Sequence, residues 1–235
     1  MKAYIITMER SPVSISGSGK LAESIRKYAP KVEPIIWAAV TPKDYRFDQY
    51  KDLWNYPWTS PETCSISKIV KTPYRTSTPK GHVACSISHY LLWEKAARSD
   101  KPIMILEHDA IFVQPFKLYK HEMESWNAIG INNPIGATRK SSEYNVQTQK
   151  AAATNLYASP IVSVPWVDNQ KSIPQGLAGN SAYIITPKGG KLLLELIDKY
   201  GMWPNDALMC KQLMDGLGQT HTYYTQVQRL GSTTT

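Results

Sequence analysis

Cysteine is scarce in this chain of 235 residues: Cys64, Cys85 and Cys210 are the three, and they stand far apart. No CxxC pair is available for zinc or redox work, and an odd number cannot close a full set of disulfides, so a reducing, cytoplasmic setting is expected. No run of 18 or more apolar residues occurs, which excludes a helical membrane span. The opening residues carry Lys2 ahead of a short apolar run with no small-residue cleavage site, and do not read as a signal peptide. There is no internal repeat and no block of five or six basic residues, although Lys+Arg 27 against Asp+Glu 19 gives a formal net charge of +8. That excess favours an anionic partner, be it nucleic acid, a phosphorylated small molecule or an acidic surface. With 42% hydrophobic and 20% charged residues, the composition fits one globular domain that buries its own core.

Lys2 to Met8 reads as a buried first strand, followed by a polar, glycine-containing loop, a helix from about Lys20 to Tyr28 and a second strand over Pro34 to Val40. This is the opening of an α/β sheet. Thr41 to Pro79 is irregular and rich in proline and aromatics; such rings need a core, so the stretch is an excursion of the domain and not a linker. Gly81 to Arg98 is the clearest helix, with two adjoining apolar stripes. Ile103 to Leu106 has the all-apolar character of a central parallel strand. Asn127 to Asn180 is polar and predicts mobile loops, with one strand at Ile161 to Val164. Ser181 to Thr186 reads as a strand, Thr186 as the cap of a helix that has Pro187 at its first position, and Gly201 as its stop. Trp203-Pro204-Asn205-Asp206 is predicted to open a further helix that Gly216 closes, and residues 218–235 to form a partly ordered tail.

Ser14 to Lys20 looks like a phosphate-cradling loop but has neither P-loop nor dinucleotide spacing, and a plain flexible loop is the better reading. Glu107-His108-Asp109 is the stronger candidate, because it follows a buried strand at the edge where open α/β sheets bind ligands. Two carboxylates at alternate strand positions project to one side and converge on a divalent cation or a sugar hydroxyl.

The pattern Gly81-x-x-x-Cys85-x-x-Ser88-His89-x-x-x-Trp93, then Ile105-Leu106-Glu107-His108-Asp109, then Ala182 to Leu193, resembles glycosyltransferase family 25. Tyr4 to Arg10 is similar to that family's N-terminal segment, and Trp203-Pro204-Asn205-Asp206 to its late aspartate segment. The resemblance implies an α/β fold of the GT-A type: a single Rossmann-like glycosyltransferase domain over residues 1–235 with a mixed, mostly parallel central sheet. It implies transfer of a hexose from a nucleotide diphosphate sugar, UDP-linked by preference, to a saccharide or other hydroxyl acceptor, with inversion and with Mn2+ or another divalent cation on the diphosphate. Lipopolysaccharide biosynthesis is among the family's roles.

On this mapping Asp109 is the direct metal ligand and Glu107 reaches the ribose or the metal shell. His108 stands where the family has aspartate, lowering the charge of the site unless it serves as a ligand itself. His221 matches a late metal-binding histidine of some GT-A enzymes, and Arg10 is a candidate contact for the nucleotide or its phosphates. Asp206 is the candidate base for the acceptor hydroxyl, with helix capping as the competing reading. His89 reads as a core residue holding a neighbouring loop, and Cys85 as packing. The alternative to an enzyme is a non-catalytic sugar- or nucleotide-binding module or a basic nucleic-acid-binding protein, although no nucleic-acid-binding signature is present.

Overall fold

A computed structural model describes residues 1–138, 140–155, 159–169 and 171–230. The elements are β1 (Lys2–Thr7), α1 (Pro12–Tyr28), β2 (Glu33–Ala38), α2 (Tyr45–Tyr50), β3 (Glu62–Thr63), β4 (Val70–Lys71), α3 (Pro79–Ala97), β5 (Ile103–Glu107) and β6 (Ala110–Phe112), followed by α4 (Lys120–Met123), β7 (Ala128–Gly130), α5 (Ser141–Ala153), β8 (Ile161–Ser163), β9 (Ala182–Ile185), α6 (Pro187–Tyr200), α7 (Asn205–Leu208), β10 (Leu217–Thr220) and β11 (Thr225–Val227). Seven strands form one sheet in the order β2-β1-β5-β9-β7-β10-β8. Strands β2, β1, β5, β7 and β10 run one way, and β9 and β8 run against them. The expected mixed, mostly parallel sheet is therefore present, counted by strand direction.

Strand β5 alternates between two cores. Ile103 and Ile105 face the cluster built by Leu92, Trp93 and Ala96 of α3 with Leu193 and Ile197 of α6. Met104 and Leu106 face Leu21 and Ile25 of α1. The result is three layers, helix on sheet on helix, which is why this strand is apolar throughout. Helix α6 begins as its sequence predicts: the Thr186 hydroxyl accepts from the Gly189 N–H at 3.2 Å, and Pro187 opens the first turn.

Four expectations are corrected. The glycine-containing Ser14 to Lys20 stretch is helix, because α1 starts at Pro12 with Ser11 as its side-chain cap. Its Gly17 is a packing device, since a Cβ there would lie 2.6 Å from the carbonyl oxygen of His108. The region 127–180 is not all loop: it supplies the inner strand β7 and the helix α5, whose Tyr144 and Thr148 are buried. The helix after Pro204 ends at Leu208, well before Gly216, because Met209 and Cys210 turn to lie against Gly176. The segment from residue 218 is not frayed over its described part, for β10 is buried along its whole length and β11 pairs with β6. Residues 231–235 lie outside the described residues. No helix among the described residues is long and apolar enough to cross a membrane.

Candidate active site

Parallel strands bring their C-terminal ends to one edge of the sheet, and the acidic motif stands there at the end of β5. The strand stops at Glu107, and His108 and Asp109 form the turn into β6. The two acids are thus brought near each other by a turn and not by the strand alternation expected. The Ser181 hydroxyl donates to the Asp109 carboxylate, while Oδ1 of Asp109 is buried without a hydrogen-bond partner. Burial first, and the neighbouring charge of Glu107 second, push the Asp109 carboxyl up to about 6. A buried, half-satisfied carboxylate beside another is the electrostatic arrangement that a cation relieves.

The turn is held from both sides. The Glu107 N–H donates to the carbonyl of Ser181 at 2.8 Å, and the Gln228 N–H to that of Asp109 at 2.7 Å. The side-chain amide of Gln228 lies 3.0, 3.1 and 2.7 Å from the carbonyls of Gly17, His108 and Ala110. The segment expected to fray is therefore a strap over the acidic motif. Gln228→Ala should lower stability by about 1–3 kcal/mol, the cost of leaving buried carbonyls unpaired, as read by denaturant unfolding.

Helix α3 contributes a second set of groups. Its fully buried His89 has Nδ1 2.9 Å from the Tyr183 hydroxyl and Nε2 3.3 Å from Oε1 of Glu107. The Trp93 indole N–H donates to the same Tyr183 hydroxyl at 2.8 Å. The Tyr183 hydroxyl joins the ring of His89 to the Trp93 indole, and the other ring nitrogen faces Glu107. His89 is thus a buried residue that fixes Glu107, in line with the structural reading of the sequence. Ligand atoms of Cys85, His89 and Glu107 lie within 4.8 Å of one another, a group able to hold a metal ion. Burial drives the Cys85 thiol well above its ordinary range, with the charges of Glu107, Asp206 and Asp109 acting in the same direction. Ser88, from the same motif, is structural: its hydroxyl accepts from the Val40 N–H at 2.8 Å and donates to the Ala84 carbonyl at 2.9 Å.

A cavity of about 260 Å³ joins Glu107 to Asp206, with Cys85, Asn180 and Tyr74 among its walls. Asp206 and Tyr74 also line an adjoining cavity of about 330 Å³, which reaches to Tyr56 and Tyr144. Asp206 is exposed to this space, and the protein around the site raises its carboxyl above the ordinary value by desolvation. The N–H groups of Ala207 and of Asp206 itself oppose the shift, the charge of Glu107 adds to it, and His89 opposes it. Pro204, not Asp206, occupies the cap position of α7. The excursion over 41–79 builds the far wall, where Trp54 and Trp58 stack at 4.8 Å and Tyr74 packs on His82 at 4.6 Å.

The remaining candidates are less central. Half-buried His108 lines a small apolar cavity of about 80 Å³ with Met8, Val40 and Ala84, on the other flank of Glu107. Burial lowers its pKa, against the opposing pull of Glu107. Arg10 is exposed in the turn after β1, the strand beside β5, and lines neither cavity that holds Asp206. His221 follows β10 at the same sheet edge, but β10 stands three strands from β5, which is on the order of 14 Å. Its backbone contacts are to Pro160 and Gln149, and the structure does not bring it together with the acids. Sequence reasoning had Trp93 and Tyr183 within the family pattern but gave them no role, and it missed Ser181 and Asn180. The one available signal was a tyrosine inside an all-apolar strand, whose hydroxyl has to find a buried partner.

Residues 25–209 match the family described as glycosyltransferase family 25 (LPS biosynthesis protein). No curated protein matches the chain. Among solved structures it is similar to the galactosyltransferase LgtC in complex with donor and acceptor sugar analogues, at 9% identity and a TM-score of 0.45, over 93% of this chain and 73% of that one. It is also similar to mouse xyloside xylosyltransferase 1 in its apo form, at 11% identity and a TM-score of 0.36, over 89% of this chain and 79% of that one.

Proposed function

This chain belongs to glycosyltransferase family 25, and from that premise we propose that it moves a hexose from a UDP-sugar to a hydroxyl of a saccharide acceptor, with inversion and with Mn2+ on the diphosphate. That the protein is an enzyme transferring a sugar from a nucleotide-sugar donor follows from the family. The finer reading rests on one observation: Glu107 and Asp206 line the same cavity, while Asp109 beside it keeps a buried carboxylate oxygen without a partner.

In this reading the acceptor hydroxyl is placed beside Asp206. As its oxygen attacks the anomeric carbon, the Asp206 carboxylate takes the proton, and the bond from that carbon to the diphosphate oxygen breaks. Glu107, fixed by His89, faces the donor. Glu107, which also belongs to the group with Cys85 and His89 able to hold a metal ion, and Asp109, with its unpaired buried oxygen, would hold a divalent cation, with His108 as the neighbouring imidazole, and when bound it supplies charge neutralisation to the departing diphosphate. Arg10, in the turn after β1, is the candidate contact for the nucleotide or its phosphates. The whole chain, 1–235, acts as one glycosyltransferase domain in the cytoplasm, with a lipopolysaccharide precursor as the acceptor in keeping with the family's description.

The test is Asp109→Asn. The variant should fold but lose the thermal stabilisation that UDP and Mn2+ together give the wild type; retention of that stabilisation rejects the metal assignment. A second readout works without metal. Because the Asp109 pKa is raised to about 6, its ionised form is disfavoured by folding. Its contribution is full below the unfolded value near 3.8 and is lost as pH rises through about 6. Metal-free Asp109→Asn should therefore gain about 1–2 kcal/mol over wild type at pH 7.5 and little at pH 4, measured by urea unfolding in chelator.

A further inference from the structure

Asn180 presents an unexplained polar group at the heart of the site. The residue is 9% exposed, and neither its side-chain oxygen nor its side-chain nitrogen has a hydrogen-bond partner among the described residues. Burying an amide with both ends unpaired is costly, and a folded protein keeps such a group where a ligand completes it. The residue is part of the wall of the cavity that also holds Glu107 and Asp206.

Its position is dictated by the sheet. Ala182 of β9 pairs with Leu106 of β5, the Ser181 carbonyl takes the Glu107 N–H at 2.8 Å, and the Ser181 hydroxyl bonds Asp109. Asn180 is thus one residue from a segment bonded to both acids. Gly179 directs the chain into this register at φ +80, a conformation that disfavours any side chain, and a Cβ there would lie 3.0 Å from Nδ2 of Asn132. The backbone is built to deliver this amide to this place.

The chemistry of the amide narrows the ligand. One end donates and the other accepts, which matches a pair of neighbouring hydroxyls, since each hydroxyl can do either. A cation would use the oxygen alone and leave the NH2 orphaned, and an anion would meet the carboxylates of Glu107 and Asp206. We infer that Asn180 reads the hydroxyl groups of the transferred hexose and sets which hexose the enzyme accepts. The inference rests on the glycosyltransferase reading above, and it makes Asn180 a specificity-determining residue and not a holder of the nucleotide.

Calorimetric titration of UDP, UDP-glucose, UDP-galactose and UDP-N-acetylglucosamine in Mn2+ tests it on wild type, Asn180→Ala and Asn180→Leu. Wild type should bind one UDP-hexose more tightly than the others. Both variants should bind UDP within about twofold of wild type, yet lose that preference by about tenfold or more, because a site that hydrogen-bonds a hydroxyl discriminates through it. Asn180→Leu, close in volume and free of unpaired polar atoms, should melt at or above the wild-type temperature. Three results overturn the inference: a preserved hexose preference, a loss of UDP affinity itself, which would mark the amide as a reader of the base, or a sharp fall in the melting point of Asn180→Leu, which would mark it as structural. Wild type that binds neither UDP nor any of the sugars rejects the UDP-sugar reading on which the inference rests.

Discussion

Asp206→Asn is expected to lower sugar transfer by about a hundredfold or more while leaving donor affinity within about twofold. The substitution keeps the shape of the side chain and removes the only property that a base needs. Asp206 stands at the meeting of two cavities, one shared with Glu107 and one walled by Tyr56 and Tyr74. That is where a donor on one side and an acceptor on the other would have to join. The desolvation that raises its carboxyl brings it nearer the operating pH than a free aspartate, which suits proton transfer. Since the base works ionised, kcat should fall on the acid side as pH drops through this raised value, and the asparagine variant should lack that limb. Pro204 occupies the cap position of α7, and asparagine can accept the same backbone hydrogen bonds as aspartate. Asp206→Asn should therefore unfold within about 1 kcal/mol of wild type. Near-normal turnover by the variant, measured with the preferred donor, would reject the base and send the search to other carboxylates, Asp168 and Glu143 first.

What the sequence made legible follows from how local each signal was. Strand β5 declared itself because both faces are buried, and an unbroken apolar run has few other uses. Helix α6 was framed by Thr186, Pro187 and Gly201, each acting within a turn of its own position. The Glu107-His108-Asp109 turn was found from its place at the end of an apolar strand, and Asp206 through motif resemblance. Their partners were not, because Tyr183 meets His89, and Ser181 meets Asp109, only through the pairing of β9 with β5 across about 75 residues of chain. Strand β10 was hidden for a different reason. Leu217-Gly218-Gln219-Thr220 carries one large apolar residue, yet all four are buried, because its polar atoms are satisfied internally and not by water. Hydropathy patterns cannot see a buried strand of this kind.

That same strand carries the other large expected effect: ending the chain after Gly216 should abolish folding. Strand β10 lies between β7 and β8, and among the described residues β8 has no other neighbour in the sheet. Its Gln219 amide donates to the Gly130 carbonyl at 3.0 Å, and the Tyr144 hydroxyl donates to its Oε1 at 3.2 Å, so its loss unties β7 and α5 together. Beyond it, Tyr224 packs on Phe116 at 5.0 Å, the Thr225 hydroxyl bonds Asn132 at 2.9 Å, and Gln228 straps the acidic turn. Each buried polar group left without its partner costs about 1–3 kcal/mol, and several at once, with the lost apolar contacts, exceed the roughly 5–15 kcal/mol that holds a domain folded. A frayed tail would behave otherwise, since its removal would leave the melting temperature and the far-ultraviolet spectrum as they were. The truncated chain should instead give insoluble protein or a circular dichroism signal without a cooperative thermal transition. A sharp transition near the wild-type temperature would show that the sheet stands without β10, and would also remove the strap as the element that holds Glu107, His108 and Asp109 in place.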